Sequence, residues 1–353
     1  GKTVLWHVSA HGWGHAARQR EVIRALKGAL PDIRIILFSS VPDWFWQGVP
    51  VDGSFPGRPS PVAVEQKGVP SARLTGENLI HFLGNEQELL KEEVKLQRKL
   101  GADLILTDID PLPVRAAEVN RLPALAIGNF TWDWILERMC PDLVEEAGRV
   151  SRMYRWGTYL KLPMGPDHSP FHHKKDIPLL RGGPEGDPER VMDLLPERGI
   201  KCLVAFRHLP EGFPAIPPEG IEPFTSLPEP AAEGWLNINH GILEQKGACF
   251  ADLFAAADVV IAKPGYGIVS QILAAGKPAV LISNGAFPEE RYLLGALRGR
   301  QGTAVLTPDG ENAPFGTAAS VLREGPLEPF PASGLGVLAE MIRRELCKTA
   351  SFF

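Results

Sequence analysis

The length, composition and charge of the chain set limits on its class. At 353 residues it is too long for one comfortable hydrophobic core and suits two domains of ordinary size. Apolar residues make up 44% and charged residues 22%, the balance of a soluble globular protein, and no apolar run is long enough to span a bilayer. The net charge of −5 argues against a general nucleic-acid binder, which needs a clustered basic surface.

The chain opens on a strand. Its first residues lack the charged region and long apolar segment of a secretory signal, so we expect a cytoplasmic protein unless a signal has been trimmed. The four cysteines lie far apart without metal-type spacing and are expected to be reduced thiols.

The first half alternates strands and helices. The pattern predicts strands at 4–8, 33–38, 104–106 and 124–127, and helices at 16–30, 77–100 and 114–119. The Pro- and Gly-rich stretch 50–70 is predicted to be a loop or an edge region. This alternation predicts a parallel sheet with helices on both faces.

The second half repeats the plan. Strands are predicted at 202–206, 236–238, 259–261, 279–282 and 303–306, and helices at 250–257, 268–275, 291–297 and 335–346. The polar segment 168–178 is the predicted linker. We therefore expect an α/β protein of two Rossmann-like domains, 1–175 and 176–353, facing each other across a cleft. The final helix is a candidate to pack back on the first domain. Functional residues should follow the strands, where open parallel sheets bind ligands.

A glycine loop follows the first strand. Gly12 and Gly14 let the backbone approach a ligand, and the helix beyond them favours an anionic group at its N-terminus. The loop is not the dinucleotide fingerprint, because Gly-x-Gly is followed by His-Ala-Ala. No acid ends the second strand, where Ser39 and Ser40 stand, so we expect neither NAD nor FAD and no other cofactor.

His11 and His15 flank these glycines. An imidazole has a pKa suited to removing a proton from a hydroxyl nucleophile, so we predict that at least one is a general base or contacts the substrate. The alternative is that they bond neighbouring backbone.

Asp108 and Asp110 end a strand of the same sheet and are candidates to orient the imidazole. Asp-x-Asp can also hold a divalent cation against a diphosphate. We favour one orienting carboxylate and one helix cap, with Pro111 just inside the next helix, and we predict no metal site.

The strongest pattern is a turn in the second half, Lys263-Pro264-Gly265-Tyr266-Gly267, between a strand and a helix. Backbone N–H groups, the helix dipole and the lysine converge on one anion, and a nucleotide diphosphate fits. Ser270 completes the predicted set. The alternative is a packing turn in which glycine supplies a positive φ.

Glu289 and Glu290 follow the next strand. A carboxylate there can bridge the two hydroxyls of a ribose, and we expect only one of the pair to do so. The alternative for each is an acid that favours a helix N-terminus.

These segments resemble a known family. The whole chain is similar to the glycosyltransferase-like N-terminal domain of plant L-arabinokinases and to its stand-alone bacterial relatives, within the two-domain "B" (GT-B) superfamily of glycosyltransferases. The matching segments are HGWGHAAR at 11–18, PDW at 42–44, TDIDP at 107–111, NFTWDW at 129–134 and KPGYGIVS at 263–270. No kinase-type phosphate loop follows, so the resemblance does not imply sugar kinase activity.

The resemblance implies a nucleotide-sugar donor, with a uridine nucleotide favoured, and metal-independent chemistry. It implies that the first glycine loop serves the acceptor and that the second turn holds the donor diphosphate. The chain departs from many members of the superfamily at Gln271, where they carry Glu.

The predicted acceptor side includes an aromatic segment. Trp132, Trp134 and Asp133 either form a sugar platform or wall off a hydrophobic core. Trp44, Phe45 and Trp46 are read in the same two ways, as an exposed patch or as core. The full predicted acceptor set is Gly12, Trp13, Gly14, Arg18, Asn129, Trp132 and Asp133.

The sequence thus favours a glycosyltransferase acting on a hydroxyl acceptor. A nucleotide-sugar hydrolase or epimerase on the same fold is one alternative. A non-catalytic nucleotide-sugar sensor is another, because all three can share one donor site.

Overall fold

A computed structural model of the protein describes residues 1–9, 11–66, 68–206, 208–227, 234–308 and 313–348. The chain divides into two compact units. Unit 1 contains Gly1–Leu180, Phe287–Glu289 and the chain from Ala332 onward, and unit 2 contains Arg181–Ala286 and Glu290–Pro331. Each unit has its own parallel sheet, so the predicted α/β class with two Rossmann-like sheets is confirmed.

Unit 1 is built on a seven-stranded sheet. Its strands are β1 (Thr3–Val8), β2 (Arg34–Ser39), β3 (Gly53–Pro56), β4 (Glu65–Gln66), β5 (Val69–Pro70), β6 (Leu104–Asp108), β7 (Ala124–Gly128), β8 (Thr158–Lys161) and β9 (His173–Asp176). The order is β3-β2-β1-β6-β7-β8-β9 with parallel pairing, and β4 and β5 form a separate antiparallel pair. The central strands β1, β6 and β7 are buried along their whole length, as strands covered on both faces must be.

The helices of unit 1 that precede the second sheet are α1 (Gly12–Ala29), α2 (Ala72–Gly84), α3 (Glu86–Lys99), α4 (Pro111–Asn120), α5 (Trp132–Met139) and α6 (Val144–Met153). The single helix predicted over 77–100 is wrong, because two helices meet at Asn85. This residue ends α2 and begins α3 with a φ of −106° and a ψ of 6°, outside the regular helical geometry.

Unit 2 is built on a six-stranded parallel sheet with the order β12-β11-β10-β13-β14-β15. These strands are β10 (Ile200–Ala205), β11 (Ile221–Thr225), β12 (Leu236–Asn237), β13 (Val259–Ala262), β14 (Ala279–Ile282) and β15 (Thr303–Leu306). Its helices are α7 (His240–Gln245), α8 (Phe250–Ala256), α9 (Tyr266–Ala275), α10 (Glu290–Leu297) and α11 (Pro314–Glu324). The last helix, α12 (Gly334–Lys348), belongs to unit 1 and packs against α1.

Six of the described strands were not predicted as strands, and three of them, β3, β4 and β5, lie in the stretch 50–70 that was predicted to be a loop or an edge region. β9 lies inside the segment read as a linker, because its four residues, HKKD, are all exposed and carry no apolar signal. β11 contains Pro223 and β8 is only four residues long. Within the described residues, no helix combines the length and the apolar character needed to cross a membrane.

Both sheets have a point where the strand order reverses direction. In unit 1 it lies between β1 and β6, and in unit 2 between β10 and β13. Loops at the carboxyl ends of strands on either side of such a point diverge and leave room for a ligand. The first glycine loop follows β1 and the second glycine turn follows β13, so each predicted loop stands at a switch point.

Candidate functional site

The first glycine loop leads directly into α1. His11 is the N-cap residue in an extended conformation, and the helix begins at Gly12, four residues before the predicted start. Gly14 is exposed and His15 is 8% exposed. The His11 side chain donates through Nδ1 to the carbonyl oxygen of Ala63 at 3.2 Å. One of the two predicted histidines therefore does bond backbone, although the backbone belongs to a distant loop.

His15 meets a carboxylate. Its Nδ1 lies 3.1 Å from Oδ1 of Asp108, which is fully buried at the end of β6. Arg18, one helical turn further along α1, donates through Nη2 to the same oxygen at 2.5 Å. Burial raises the pKa of Asp108, but the charges of Arg18 and His15 outweigh it and lower the pKa to about 2. Asp108 is thus an anion at neutral pH, and it fixes the orientation of the imidazole.

The backbone between the two aspartates is strained. Ile109 has a φ of +59°, which is rare for a β-branched residue. The buried hydroxyl of Tyr154 donates to the Ile109 carbonyl oxygen at 2.5 Å, and Gly128 leaves room for the isoleucine, since a Cβ there would lie 2.3 Å from Ile109 Cγ2. Such strain persists where surrounding structure enforces it, and it is concentrated at functional sites. Here it accompanies two aspartates that have different partners.

Asp110 takes the N-cap position of α4 before Pro111, as the cap interpretation predicts, but its side chain makes no capping hydrogen bond. Instead Ser60 donates to Asp110 Oδ1 at 2.5 Å. Burial raises the pKa of Asp110 to about 7, the hydrogen bond from Ser60 opposes this shift, and the charge of Asp108 adds to it. Asp108 thus pairs with His15 and Arg18, whereas Asp110 pairs with Ser60, so the two predicted carboxylates have different partners.

A hydrogen-bonded chain continues from Arg18. Its Nη1 donates to Asn129 Oδ1 at 3.2 Å, and Asn129 Nδ2 donates to Glu289 Oε1 at 2.6 Å. Both Asn129 and Glu289 are buried in unit 1. The structure therefore places Glu289, a predicted ribose ligand, beside the predicted acceptor residue Asn129.

Aromatic rings enclose the two histidines. The Trp132 ring lies 5.2 Å from that of His11, edge to face, and 6.2 Å from that of His15, nearly parallel. Phe287 stacks on His11 at 5.0 Å, and Phe130 lies edge-on to His15 at 5.8 Å. Trp132 is fully buried, so it walls the histidine pair rather than forming an open platform.

Asp133 and His168 form a second carboxylate–histidine pair. It is fully buried in the first turn of α5, and its Oδ2 accepts a hydrogen bond from Nε2 of His168 at 2.8 Å. This bond raises the pKa of His168, against the effect of partial burial.

The remaining aromatic residues of the predicted patch divide between surface and core. Trp44 is 40% exposed, whereas Trp46 is 6% exposed and donates from its indole to Ser39. Trp13 packs edge-on against Trp44 at 5.3 Å and also contacts Phe45. Trp13 thus packs against Trp44 and Phe45, although it lies between the two histidines in the sequence.

The second glycine turn starts α9 with Gly265 as its N-cap residue. Gly265 has an extended φ of −141°, and in the described part of the chain a Cβ added to it would meet nothing within 4 Å. Neither a positive φ nor close packing requires a glycine here, and glycine is also an accepted N-cap residue. Lys263 lies half-buried two residues earlier, and Tyr266 and Gly267 are buried in the first turn of the helix.

Two predicted donor residues of unit 2 are engaged within the unit. The Ser270 hydroxyl donates to the Gly267 carbonyl oxygen and accepts from the Gly182 backbone N–H, both at 2.9 Å. A Cβ on Gly182 would lie 2.3 Å from Gly267 Cα, so the segment before Gly183 rests directly on the turn. Glu290 accepts a hydrogen bond from Ser283.

Sequence reasoning missed four residues of these arrangements, namely Ser60, Tyr154, His168 and Gly182. Ser60 lies in the segment dismissed as a loop, and the others are far in sequence from their partners. A usable signal existed only at Gly182 and Gly183, whose paired glycines follow the linker. The described residues contain no group of three or more His, Cys, Asp or Glu side chains that could hold a metal ion. Metal independence stays a prediction.

A family comparison finds a match to the first part of the chain. Residues 2–165 match the family described as glycosyl transferase family 1. The L-arabinokinase of Arabidopsis thaliana is 26% identical over 320 residues, which cover 82% of this chain but only 29% of that protein. The chain therefore spans less than a third of the length of this curated relative.

Solved structures share the architecture of the whole chain. The glycosyltransferase SnogD from Streptomyces nogalater is 16% identical with a TM-score of 0.57, covering 99% of this chain and 96% of that one. The glycosyltransferase VinC, solved in complex with dTDP, is 13% identical with a TM-score of 0.56, covering 98% and 95%. The chain therefore shares the fold of these solved glycosyltransferases, which is the fold that its sequence resembles.

Proposed function

We propose that the protein transfers a sugar from a nucleoside-diphosphate sugar to a hydroxyl acceptor, with His15 as the general base. The observation that carries the proposal is the 3.1 Å contact between His15 and the ionised Asp108 at the switch point of unit 1. An imidazole fixed by a buried carboxylate is the arrangement that activates a hydroxyl nucleophile.

The proposal assigns His15 the tautomer that pairs with Asp108, although Arg18 Nη2 also lies 3.1 Å from the same Nδ1. In the tautomer with its proton on Nδ1, His15 donates to Asp108 and presents Nε2 as the basic nitrogen. Nε2 takes the acceptor proton while the acceptor oxygen bonds to the anomeric carbon. The bond from that carbon to the diphosphate breaks, and its electron pair leaves with the diphosphate. Asp108 then stabilises the imidazolium.

The donor diphosphate is assigned to the N-terminus of α9 in unit 2. The open space at Gly265, the helix dipole and Lys263 support this assignment, because all three favour an anion at one place. A uridine nucleotide is favoured by the resemblance of the sequence, and a thymidine nucleotide is suggested by the dTDP in VinC. Ser270 holds the turn in shape, since its hydroxyl already bonds Gly182 and Gly267.

The acceptor belongs to unit 1, around the first glycine loop. Gly12 and Gly14 open α1, and Trp132 walls the histidine pair. Arg18 and Asn129 act indirectly, because their hydrogen bonds run to Asp108 and Glu289 rather than outward. No nucleic acid, cofactor or metal has a part in this scheme. The cytoplasmic location stays a prediction.

Turnover of donor tests the proposal. Native protein is incubated with UDP- and dTDP-sugars, with and without a mixture of hydroxyl compounds, and release of the nucleoside diphosphate is measured. His15→Ala should lower the rate by at least about 100-fold. His81→Ala is the matched control, because His81 is exposed on α2 and should leave the rate unchanged. Equal rates for both variants would remove the assignment of His15. Release that needs no acceptor would instead indicate a hydrolase.

A further inference from the structure

Several buried polar atoms have no hydrogen-bond partner among the described residues, and four of them belong to residues at the ends of β1, β6 and β7. They are Ser9 Oγ, Asp108 Oδ2, Thr131 Oγ1 and Trp132 Nε1, named here the inner polar group. Each of these residues is at most 1% exposed. Buried polar side chains are hydrogen-bonded in the large majority of cases, so four unpaired atoms in one region call for an occupant that pairs with them.

The topology and the ring contacts bring the group together. Ser9 follows β1, Asp108 ends β6, and Thr131 and Trp132 follow β7, and these three strands are neighbours in that order. Val8 and Asp108 are paired in register, which sets Ser9 beside the end of β6. The Trp132 ring contacts the rings of both His11 and His15. The four atoms therefore share the sheet edge that carries the proposed base.

The chemistry of the four atoms specifies a kind of ligand. The indole of Trp132 can only donate, ionised Asp108 can only accept, and the hydroxyls of Ser9 and Thr131 can do either. A ligand that satisfies all four must offer donors and acceptors at short intervals. Vicinal hydroxyl groups do so, whereas an aromatic or aliphatic surface would leave the four atoms unpaired.

The charges nearby disfavour an anion. Asp108 is ionised, and Glu289 is a second carboxyl joined through Asn129 to the same Arg18. The guanidinium of Arg18 already donates to Asp108 and Asn129. A phosphate or carboxylate on the acceptor would meet Asp108 Oδ2 without gaining this cation. The surrounding rings of Trp132, Phe130 and Phe287 add apolar walls that suit the C–H faces of a sugar ring.

We propose that the inner polar group binds a neutral glycosyl unit and that the acceptor of the reaction is therefore a sugar hydroxyl. The identification of the bound sugar as the acceptor rests on the proposed function. The binding of a neutral sugar by the inner polar group can be measured without turnover. Thr131 and Ser9 are then binding residues, and Trp132 is the donor that distinguishes a hydroxyl from an apolar surface.

Binding is tested on the indole N–H directly. The protein is labelled with ¹⁵N-tryptophan and titrated with methyl glycosides of glucose, galactose and arabinose, with glucose 1-phosphate, and with 4-methylumbelliferone. The Trp132 signal is assigned by its loss in Trp132→Phe. At least one neutral methyl glycoside should shift that signal in a saturable way, and the sugar phosphate and the phenol should not. Trp156→Phe is the control, because its indole donates to the Leu122 carbonyl oxygen on the surface and should leave the titration unchanged.

Isosteric substitution gives the second measurement. Thr131→Val removes the hydroxyl at nearly constant shape, and because the Thr131 side chain makes no capping bond the start of α5 should survive. With the glycoside that binds, Thr131→Val should raise its dissociation constant by about tenfold, and its KM equally if it is turned over.

The outcomes separate the two proposals. If no neutral glycoside shifts the Trp132 signal, or if the phenol or the phosphate alone does so, the inference is overturned whatever the turnover shows. If Thr131→Val raises the KM for the donor rather than for the glycoside, the group holds the donor sugar and the inference is equally overturned. If glycosides bind but no donor is consumed, the inference about the ligand stands and the proposed transferase activity fails.

Discussion

The two glycine turns stand at equivalent places, one beside the switch point of each sheet, yet they present different groups. In unit 1, His11 is the N-cap residue of α1, and the ends of the neighbouring strands supply side chains, among them Asp108 at 3.1 Å from His15. In unit 2, the N-cap residue of α9 is Gly265, where a Cβ would meet nothing within 4 Å in the described residues, and a lysine lies two residues before it. In the proposed function, the first turn serves proton transfer and the second binds an anion. The same topology would then serve two chemistries through the residues placed after its strands.

Removing the charge of Asp108 should have the largest effect on the first turn. Asp108→Asn leaves His15 without the carboxylate that orients it, and turnover should fall on the order of 1,000-fold. The buried guanidinium of Arg18 also loses its counter-ion, so the free energy of unfolding should fall by about 3 kcal/mol.

Steady-state rates below the melting temperature and urea unfolding separate these two effects. Asp103→Asn is a suitable control, because its ion pair with Lys2 is partly exposed and far from the histidines in the sheet. A variant of Asp108 that is destabilised but keeps more than about a tenth of the native rate would show that the pair is structural only.

Filling the space at Gly265 should weaken the binding of a nucleoside diphosphate by the second turn. Gly265→Asn keeps a preferred N-cap residue at an extended backbone position, so α9 should form normally. The new side chain occupies the space assigned to the diphosphate, and the dissociation constant for UDP or dTDP should rise at least about tenfold. Native protein at 100-fold excess of ligand over its dissociation constant should gain about 2.7 kcal/mol, measured as a thermal shift.

Gly295→Ala provides the comparison within unit 2, since Gly295 lies inside α10 with nothing within 4 Å of an added Cβ in the described residues. It should retain the full ligand-induced shift and gain about 0.5 kcal/mol in the absence of ligand. A Gly265→Asn protein that still shows the native shift would place the diphosphate elsewhere.

The sequence could predict the positions of the two turns but not the side-chain contacts that their residues make. Strand alternation and glycine spacing located both turns because these are local signals. Which histidine meets a carboxylate depends on the register of β1 against β6, and the partner of Asp110 comes from a loop fifty residues away. The left-handed backbone at Ile109 has no local signature either, because it is imposed by Tyr154 and by the absence of a side chain at Gly128. Contacts set by packing between distant segments lie beyond a pattern read along the chain.

Asp108 and Asp110 should make the stability of the folded protein depend on pH. The folded pKa of Asp110, about 7, lies above its ordinary value of 3.8, so the folded protein holds a proton that the unfolded chain has lost. This group therefore favours folding below about pH 4, and that advantage is lost as the pH rises through 7. Asp110→Asn should remove this loss and raise stability at pH 8 by on the order of 2 kcal/mol.

Asp108 acts in the opposite sense. Its folded pKa of about 2 lies below 3.8, so its contribution is present above pH 4 and is lost as the pH falls towards 2. Urea unfolding of native protein and Asp110→Asn between pH 4 and pH 8 measures the difference. Parallel stability curves for the two proteins over this range would show that Asp110 is ionised throughout and that burial does not control it.

The smallest effect is expected within the first loop itself, at His11. Its Nδ1 donates to the Ala63 carbonyl oxygen, whereas Nδ1 of His15 lies against the Asp108 carboxylate. His11 can contact substrate or shape the wall with Phe287, whereas the contact with Asp108 on which the proposed base rests is made by His15. His11→Ala should therefore lower turnover only about tenfold, chiefly through KM, while His15→Ala lowers kcat. The ratio of kcat values for the two variants measures the difference between the contributions of His11 and His15 to catalysis. If His11→Ala costs as much kcat as His15→Ala, the proton passes through both rings, and the 3.1 Å contact with Asp108 no longer identifies the base.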